Sequence, residues 1–474
     1  MKCLIPTLLI IAWPAFATFG PQTQWDVRTA ANGGLDTNGG AFDPGVVSPG
    51  TNQSLGAGAA ITVTLTGTAA GTGSPAFSAT TNGPGNFVYI ASGTGCTVGR
   101  YEILSQSSGT ATFDHAVGTA TDVCTGTIGG SMATPGATGT AMVTQNSMFI
   151  QTGTYVITAT IQTPGPTHYI EGYGTNHYDG GTKPVLTTST NSTKFWSVCT
   201  SAGGAGTVTF YNIQMSNTAV TPSVGLYNFG GLQSVTLSNL TMIGFTTHMI
   251  ANVDYIGDLH VWNCEFNTGT VAINTNITSY NQVGNISIYG SYIHGFTSTT
   301  GAVQAYNTSI VTIAFSVLAN NVVAVGNVAY QVNLINTDVY ANTGSAILPG
   351  VIVNCVNSIF YGNSGASTTV LNPIGQSTQT PICGTGRNNA FGGNTKNYPT
   401  GSIPSFGEIT LTASPFTSST NFTLNSTSGG GALLKKAGFV PTVVGSTATA
   451  TMDVGAIQGA VAAPAISVGS AFVQ

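Results

Sequence analysis

The sequence predicts an all-β protein whose central part is a parallel β-solenoid, and three observations lead there. Charged residues make up 5% of the 474 residues, against about 25% in an ordinary soluble domain. Apolar residues make up 42% and are spread along the chain, which argues against disorder. A short alternating pattern then recurs every 21–27 residues, with Asn or Gly close behind it. These features are typical of stacked β-strands whose surface consists of hydroxyl and amide groups.

Residues 1–17 have the pattern of a secretory signal peptide. Lys2 supplies the positive charge, an apolar stretch runs from Leu4 to Trp13, and Ala15-Phe16-Ala17 forms a small-residue cleavage site. A membrane-spanning helix needs about 20 apolar residues, so a retained anchor is the less favoured alternative. We therefore expect an extracellular or cell-surface protein with no transmembrane segment after cleavage.

Two segments precede the repeats. Residues 18–85 are rich in Gly and Thr and are predicted to be a leader, whereas residues 86–145 alternate strongly and are predicted to be a small β-module. Cysteines outside the signal peptide can form disulfides in an oxidising compartment. The predicted pair is Cys96 with Cys124, which flank a hairpin-like stretch, and Cys355 with Cys383 is a second candidate pair.

The solenoid is predicted over residues 146–372. In each repeat the first, third and last residues are apolar and the second is polar, as expected of a strand with one face inward. The fifth residue is usually Asn, which suits the left-handed backbone of a tight corner. Short apolar runs between the repeats predict two strands per coil. The repeats are residues 208–215, 235–242, 259–266, 286–293, 311–318, 332–339 and 353–360, and their fifth residues are Asn212, Asn239, Asn263, Gly290, Phe315, Asn336 and Asn357.

A leucine-rich repeat is the main alternative to the solenoid. That architecture needs Leu at fixed places and usually a helical return. The columns here contain Val, Ile, Phe and Met, and no return segment has a helical period. The parallel solenoid is therefore favoured, and residues 373–474 are predicted to form irregular coils, a C-terminal cap and a tail.

The seven repeats between residues 208 and 360 resemble the right-handed parallel β-helix repeat of the pectin-lyase-like superfamily. The entry coil FIQTGTYVITATI (149–161), followed by IEGYGT (170–175), is similar to the entry coil of that superfamily. MDVGAIQ (452–458) resembles the closing D-[IV]-G-A segment of secreted β-helix proteins. QWDVRTAANGGLDTNGGAFDPG (24–45) is similar to the start of β-helix proteins from phages and environmental bacteria. The resemblance implies a right-handed solenoid, and it carries little information about function.

Aromatic and polar side chains gather at outward positions of neighbouring coils. Sugar rings pack on flat aromatic faces while their hydroxyls pair with carboxylates and amides, so we interpret this group as a carbohydrate-binding face. The alternative is that Tyr and Trp are here as ordinary β-formers on a half-covered face. The predicted ligand-binding residues are Tyr211, His260, Trp262, Glu265, Tyr289 and Tyr292.

Catalysis is the less favoured interpretation of the same region. Glycosidase carboxyls lie about 5–9.5 Å apart, whereas Glu265 and Asp338 share a column three coils apart, roughly 14 Å by the strand spacing. Asp254, Asp258 and Glu265 remain as catalytic candidates. Lyases of the resembled superfamily use Lys or Arg, and none occurs between Lys194 and Arg387. No catalytic residue of the superfamily is therefore carried over to this chain.

Other motifs give weaker signals. The segment 171–181 holds Glu171, His177, Tyr178 and Asp179 and is the second candidate site. Asp36 and Asp43 lie in a Gly-rich stretch that is better explained as a turn than as a calcium site. We predict no metal site and no cofactor, and the scarcity of basic residues excludes a nucleic-acid binder that works through basic patches.

Three functions follow as hypotheses. The first is a secreted or surface-displayed protein, without catalytic activity, that binds carbohydrate or acts in adhesion or as a scaffold. The second is a polysaccharide hydrolase or lyase of the same fold, using a groove near Asp254 to Tyr292. The third is a phage tail-spike-like receptor-binding protein on the virion surface, for which a homotrimer is expected.

Overall fold

The computed structural model describes most of the chain, with gaps at both ends and in several loops. The described residues are 23–42, 56–78, 83–142, 146–163, 165, 168–188, 194–198, 206–218, 224–227, 232–251, 256–275, 283–305, 310–326, 331–347, 352–364, 383–395, 397, 406–438 and 452–458. The fold is a parallel β-solenoid of about seven turns, with a small barrel near its N-terminus. The all-β prediction and the predicted solenoid are confirmed.

Three sheets of stacked strands form the walls of the solenoid. The first sheet contains, in spatial order, Ala41–Phe42, Gln24–Val27, Ser147–Gln151, His168–Tyr173, Thr207–Tyr211, Leu232–Ser238, Ile256–Trp262, Val283–Tyr289, Ile310–Ala314, Gln331–Ile335, Ile352–Val356 and Cys383–Arg387. The second contains Thr154–Val156, Val185–Thr188, Gln214–Asn217, Thr241–Ile243, Glu265–Gly269, Tyr292–Phe296, Val317–Ala319, Asp338–Tyr340, Ile359–Tyr361, Ala390–Gly392 and Ile409–Leu411. The third contains Ile161–Thr163, Lys194–Val198, Val224–Tyr227, His248–Ala251, Val271–Asn274, Val303–Gln304 and Val325–Gly326.

Each predicted repeat bends at its fifth residue and spans two sheets. In the coil at 208–215, Thr207–Tyr211 belongs to the first sheet and Gln214–Asn217 to the second, and Asn212 between them has φ +57°. The prediction of two strands per coil is therefore wrong, because the middle coils have three. The alternation shifts by one residue at the corner: Phe210 is the last inward apolar residue before Asn212, and Ile213 is the first after it.

The inward side chains form one continuous apolar core. Val208, Val235 and Leu259 pack in one column, and Phe210, Leu237 and Val261 in the next, all fully buried. Stacking in register lets each coil cover the apolar face of its neighbour, so no coil is expected to be stable alone.

The barrel consists of six antiparallel strands and is inserted in the chain between Phe42 and Ser147. The first sheet is continuous past this insertion, because Gln24–Val27 pairs directly with Ser147–Gln151. Its strands are Ala59–Gly67, Ala70–Ser74, Phe87–Ser92, Gly99–Ser107, Thr110–Phe113 and Val123–Ile128. The barrel begins inside the segment 18–85, which the sequence predicts to be a leader. Its first two strands are rich in Gly and Thr, the composition on which the prediction of a leader depends. The predicted disulfide between Cys96 and Cys124 is confirmed.

The rest of the described chain consists of short helices and a C-terminal cap. The helices are Ala30–Asn32, which is a 3-10 helix, Pro135–Ala141 and Gly431–Leu434. The cap, residues 409–438 and 452–458, packs on the outward face of the second sheet through Phe416, Phe422, Leu434 and Val454. Within the described ranges, no helix has the length and apolarity needed to span a membrane.

Candidate functional site

The predicted aromatic residues of the first sheet stand in one outward column. Trp262 pairs with Tyr289 on the next coil, and Tyr211 lies two coils before Trp262, with Ser238 between them. Neighbouring strands are about 4.8 Å apart, so the Trp262 and Tyr289 side chains project from adjacent coils. Tyr289 is 41% exposed and Trp262 is half-buried. The column therefore presents aromatic surface to solvent.

A polar column runs beside these aromatic side chains. His260 lies two residues before Trp262, with the two rings tilted and their centroids 5.7 Å apart. Burial lowers the pKa of His260, so its imidazole is neutral at neutral pH. Asp258 lies two residues before His260 on the same strand, and its Oδ1 accepts a hydrogen bond of 2.9 Å from Asn285 Nδ2. The polar column contains Thr209, Thr236, His260, Ser287, Thr312, Asn333 and Asn354.

Glu265 and Tyr292 belong to the second sheet, across the corner at Asn263. The two residues pair in register, as the sequence predicts. His294 Nε2 lies 3.1 Å from Glu265 Oε1, and the His294 ring stacks on Tyr292 with centroids 3.8 Å apart. Burial lowers the pKa of His294, although Glu265 opposes this effect. The six predicted ligand-binding residues therefore occupy two faces that meet at a corner.

Lys183 adds a cation that the sequence reasoning missed. Its Nζ donates a hydrogen bond of 2.9 Å to Thr241 Oγ1, and Thr241 pairs with Glu265 on the next coil. Burial lowers the pKa of Lys183, while the nearby Glu265 raises it. Lys183 precedes the strand Val185–Thr188, outside the regular repeats, so counting basic residues between Lys194 and Arg387 did not reveal it.

Two of the catalytic candidates, Asp258 and Glu265, lie on different sheets. Asp338 is three strand steps from Glu265, roughly 14 Å by the strand spacing, and it is fully buried where Ala456 N donates to its Oδ1. Asp254 lies outside the described residues. Glu265 and Asp338 are therefore farther apart than the carboxyls of a glycosidase, which lie about 5–9.5 Å apart.

The second candidate site, residues 171–181, is organised by Asp179. Its carboxylate accepts hydrogen bonds from the backbone N–H groups of Gly174, Thr175, Asn176 and Gly181. Burial would raise the pKa of Asp179, but these four donors hold it well below its usual range. Asp179 thus acts as the anchor of a tight loop.

His177 and Asp26 join this loop to the first strand of the solenoid. His177 stacks on Phe149 at 4.0 Å, and its Nε2 lies 2.9 Å from Asp26 Oδ1. Asp26 also accepts hydrogen bonds from Arg28 Nε, Tyr173 OH and Ser131 Oγ. Burial would raise the pKa of Asp26, but His177 and Arg28 lower it below its ordinary value. This network supports the fold of the entry coil.

Glu171 differs from Asp26 and Asp179 because its pKa is raised and theirs are lowered. Its side chain is buried, Tyr169 OH donates a hydrogen bond of 2.7 Å to Oε2, and Oε1 has no hydrogen-bond partner among the described residues. Burial raises the pKa of Glu171 to about 7. Glu171 pairs with Tyr211 and so begins the aromatic column on the entry side.

The remaining candidate motif near the N-terminus also has a structural explanation. Asp36 accepts hydrogen bonds from Ala133 N, Thr134 N and Thr134 Oγ1, just before the helix Pro135–Ala141. Asp43 is outside the described residues. In the part of the chain that the structure describes, no group of three or more His, Cys, Asp or Glu side chains could hold a metal ion.

Comparison with known proteins adds no family to this description. The chain matches no protein-family model, and no curated protein matches it. The structure itself shows the parallel β-solenoid. The column of Tyr211, Trp262 and Tyr289, with its polar neighbours, is the candidate site on the first sheet.

Proposed function

We propose that this chain is a secreted or surface-displayed β-solenoid of the pectin-lyase-like type that binds carbohydrate on its first sheet without cleaving it. The observation that carries the proposal is the column of Tyr211, Trp262 and Tyr289. Tyr289 is exposed and Tyr211 and Trp262 are half-buried, so the column provides flat apolar surface, and the adjacent hydroxyl, amide and carboxylate groups can pair with sugar hydroxyls. A rigid sheet holds all of these groups in fixed positions, which lowers the entropic cost of binding.

The placement of the candidate carboxyls Asp258 and Glu265 on different sheets supports binding over hydrolysis. Asp258 is held by Asn285, and Glu265 faces another direction on the second sheet. A polysaccharide-degrading enzyme remains the alternative, and His294 beside Glu265 is the arrangement that favours it. A trimeric tail-spike-like protein is the other alternative, and native mass would distinguish it from a monomer.

A glycan array probed with the wild-type protein and with Trp262→Ala tests the proposal. We expect the wild type to bind neutral or weakly acidic oligosaccharides and the variant to bind at least about tenfold more weakly, since a stacked aromatic side chain is commonly a dominant contact. Ile335→Ala is the matched control, because Ile335 is 37% exposed in the same column two coils beyond Tyr289.

An assay for new reducing ends separates binding from hydrolysis. Binding without new ends agrees with the proposal, whereas release of reducing ends that Glu265→Gln abolishes would replace it by the enzymatic alternative. Equal affinity of the wild type and Trp262→Ala would exclude the aromatic column as the binding face.

A further inference from the structure

The corner between the first and second sheets departs from asparagine in two adjacent coils. Residues at this corner have positive φ, and in the other described coils from 212 to 388 they are Asn. Gly290 and Phe315 take the two exceptional places, with φ +58° and +50°. A bulky residue in the left-handed region is a genuine outlier, and such residues collect at functional sites. The Asn positions are Asn212, Asn239, Asn263, Asn336, Asn357 and Asn388.

Both exceptional residues line the same cleft. The cleft lies between the second sheet and the C-terminal cap and has a volume of about 490 Å³, within the range of roughly 300–1,000 Å³ typical of ligand sites. Tyr292 and Phe315 contribute from the sheet side, and Asn421 and Phe422 from the cap. The Tyr292 and Phe422 rings meet edge to face with centroids 5.6 Å apart.

The chemistry of this cleft suits an uncharged, hydroxyl-rich ligand. Its described lining residues combine aromatic rings with the Thr420 hydroxyl, the Asn421 amide and the Ser291 hydroxyl, and none of them is Asp, Glu, Lys, Arg or His. Aromatic faces with a few hydroxyl and amide groups can pack against a sugar ring and bond its hydroxyls. An anionic ligand would find no counter-charge among these residues.

The cleft begins where the aromatic column of the first sheet ends. Tyr289 is the last residue of its strand, Gly290 and Ser291 follow, and Tyr292 starts the next strand. Gly290 has no side chain at the corner, and Oδ1 of Asn263 in the preceding coil lies where its Cβ would be. Gly290, Ser291 and Tyr292 all line the cleft, so a linear ligand that lies on Trp262 and Tyr289 ends at the mouth of the cleft.

We propose that this cleft is a second saccharide subsite, which takes the uncharged terminal unit of the glycan whose interior lies on Trp262 and Tyr289. The proposal rests on the proposed carbohydrate-binding function. Phe315, which stands where most of the described coils have Asn, supplies an aromatic wall of this subsite.

Phe315→Asn is the decisive variant because it restores the residue found in the neighbouring coils. The substitution relieves an unfavourable backbone conformation, so we expect a melting temperature at or above that of the wild type. We expect affinity for the shortest neutral oligosaccharide that binds in the array to fall about tenfold, the loss of one good contact. Asn421→Ala should weaken the same oligosaccharide, and Thr410→Ala, at an exposed position of the terminal strand Ile409–Leu411, should leave its affinity unchanged.

Blocking the ends of that oligosaccharide provides a second readout. We expect a bulky group on one of its two ends, each tested in turn, to weaken binding to the wild type and to have little further effect on Phe315→Asn. Equal affinity of wild type and Phe315→Asn, or tolerance of both blocked ends, would overturn the cleft as a terminal subsite while Trp262→Ala still reports on the column. Absence of any glycan binding by the wild type would instead overturn the proposed function, and this inference with it.

Discussion

Two carboxyl groups in the entry coils show how hydrogen-bond partners determine ionisation in a chain with so few charges. Asp26 and Glu171 both pair in register with Phe149, on either side of it. Asp26 is contacted by Arg28 and His177 and keeps a lowered pKa, whereas Glu171 receives a hydrogen bond from Tyr169 and burial raises its pKa to about 7. Glu171 is therefore the carboxyl group in this region whose titration makes stability depend on pH between about 4.5 and 7, whereas Asp26 titrates at lower pH.

The replacement Glu171→Gln tests this dependence. The pKa of Glu171 is about 7 in the folded chain against an ordinary value of 4.5, so the folded state holds the proton more tightly than the unfolded state. Its contribution is fully present below pH 4.5 and is lost as pH rises to about 7, a change on the order of 3 kcal/mol. We expect thermal unfolding of Glu171→Gln to lose this decline between the two pH values.

Tyr169→Phe serves as the companion variant for Glu171. The Tyr169 hydroxyl lowers the pKa of Glu171 by stabilising the carboxylate. Removing the hydroxyl should therefore raise that pKa further and move the decline in stability to higher pH. A Glu171→Gln profile that coincides with the wild-type profile across this window would show that Glu171 is not the titrating group.

At the scale of the element, buried asparagines tie each coil to the next. Asn342 Oδ1 accepts from Asn321 N, and Asn363 Oδ1 accepts from Asn342 N. Asn342 Nδ2 also donates to the Leu318 carbonyl. A buried polar group without a partner is costly, so this ladder fixes the register of neighbouring coils as well as stabilising them.

Asn342→Ala removes one step of the buried ladder. The substitution leaves Asn321 N–H and the Leu318 carbonyl without their partners, so we expect the free energy of unfolding to fall by roughly 2–4 kcal/mol. Denaturant unfolding measures the change. Asn354→Ala, in the half-buried outward column, should cost less than about 1 kcal/mol, and equal losses for the two variants would contradict the role assigned to the buried ladder.

Local alternation explains how far the sequence predicts these elements and where it stops. The inward columns and the pairing of Trp262 with Tyr289 and of Glu265 with Tyr292 follow from a period of two residues combined with a repeat of constant phase. The separation of Trp262 and Glu265 onto two faces does not follow, because the left-handed residue Asn263 bends the chain between them and an apolar–polar alternation resumes after it. The apolar runs between the repeats predict the strands of the third sheet, such as Val224–Tyr227 and His248–Ala251, but the division of each repeat into two strands at its corner is not visible in the sequence.

At the scale of the whole molecule, the cap explains why the outward face of the second sheet changes character along the solenoid. The outward residues are polar at Gln214, Thr241 and Glu265, but Val317 and Ile359 farther along are apolar. Val317, Ile359, Phe416 and Val454 belong to one buried cluster. Contacts so distant in sequence have no periodic signal, so MDVGAIQ could be predicted as a closing segment while its docking position could not.

Val454→Asp tests whether the cap seals this face. Val454 is fully buried in the cluster, and burying an unpaired charge there costs at least several kcal/mol. We therefore expect the cap to detach from the second sheet, which exposes the carboxylate to solvent. The strands beneath are held by the stacked coils and by the inner core, so we expect far-ultraviolet circular dichroism to stay β-rich. The uncovered apolar surface should bind a hydrophobic dye and promote self-association. Thr410→Asp, at an exposed position of the terminal strand Ile409–Leu411, is the control, and it should neither bind the dye nor self-associate. If Val454→Asp bound no more dye than the wild type, the cap would not be what covers the apolar face of the second sheet.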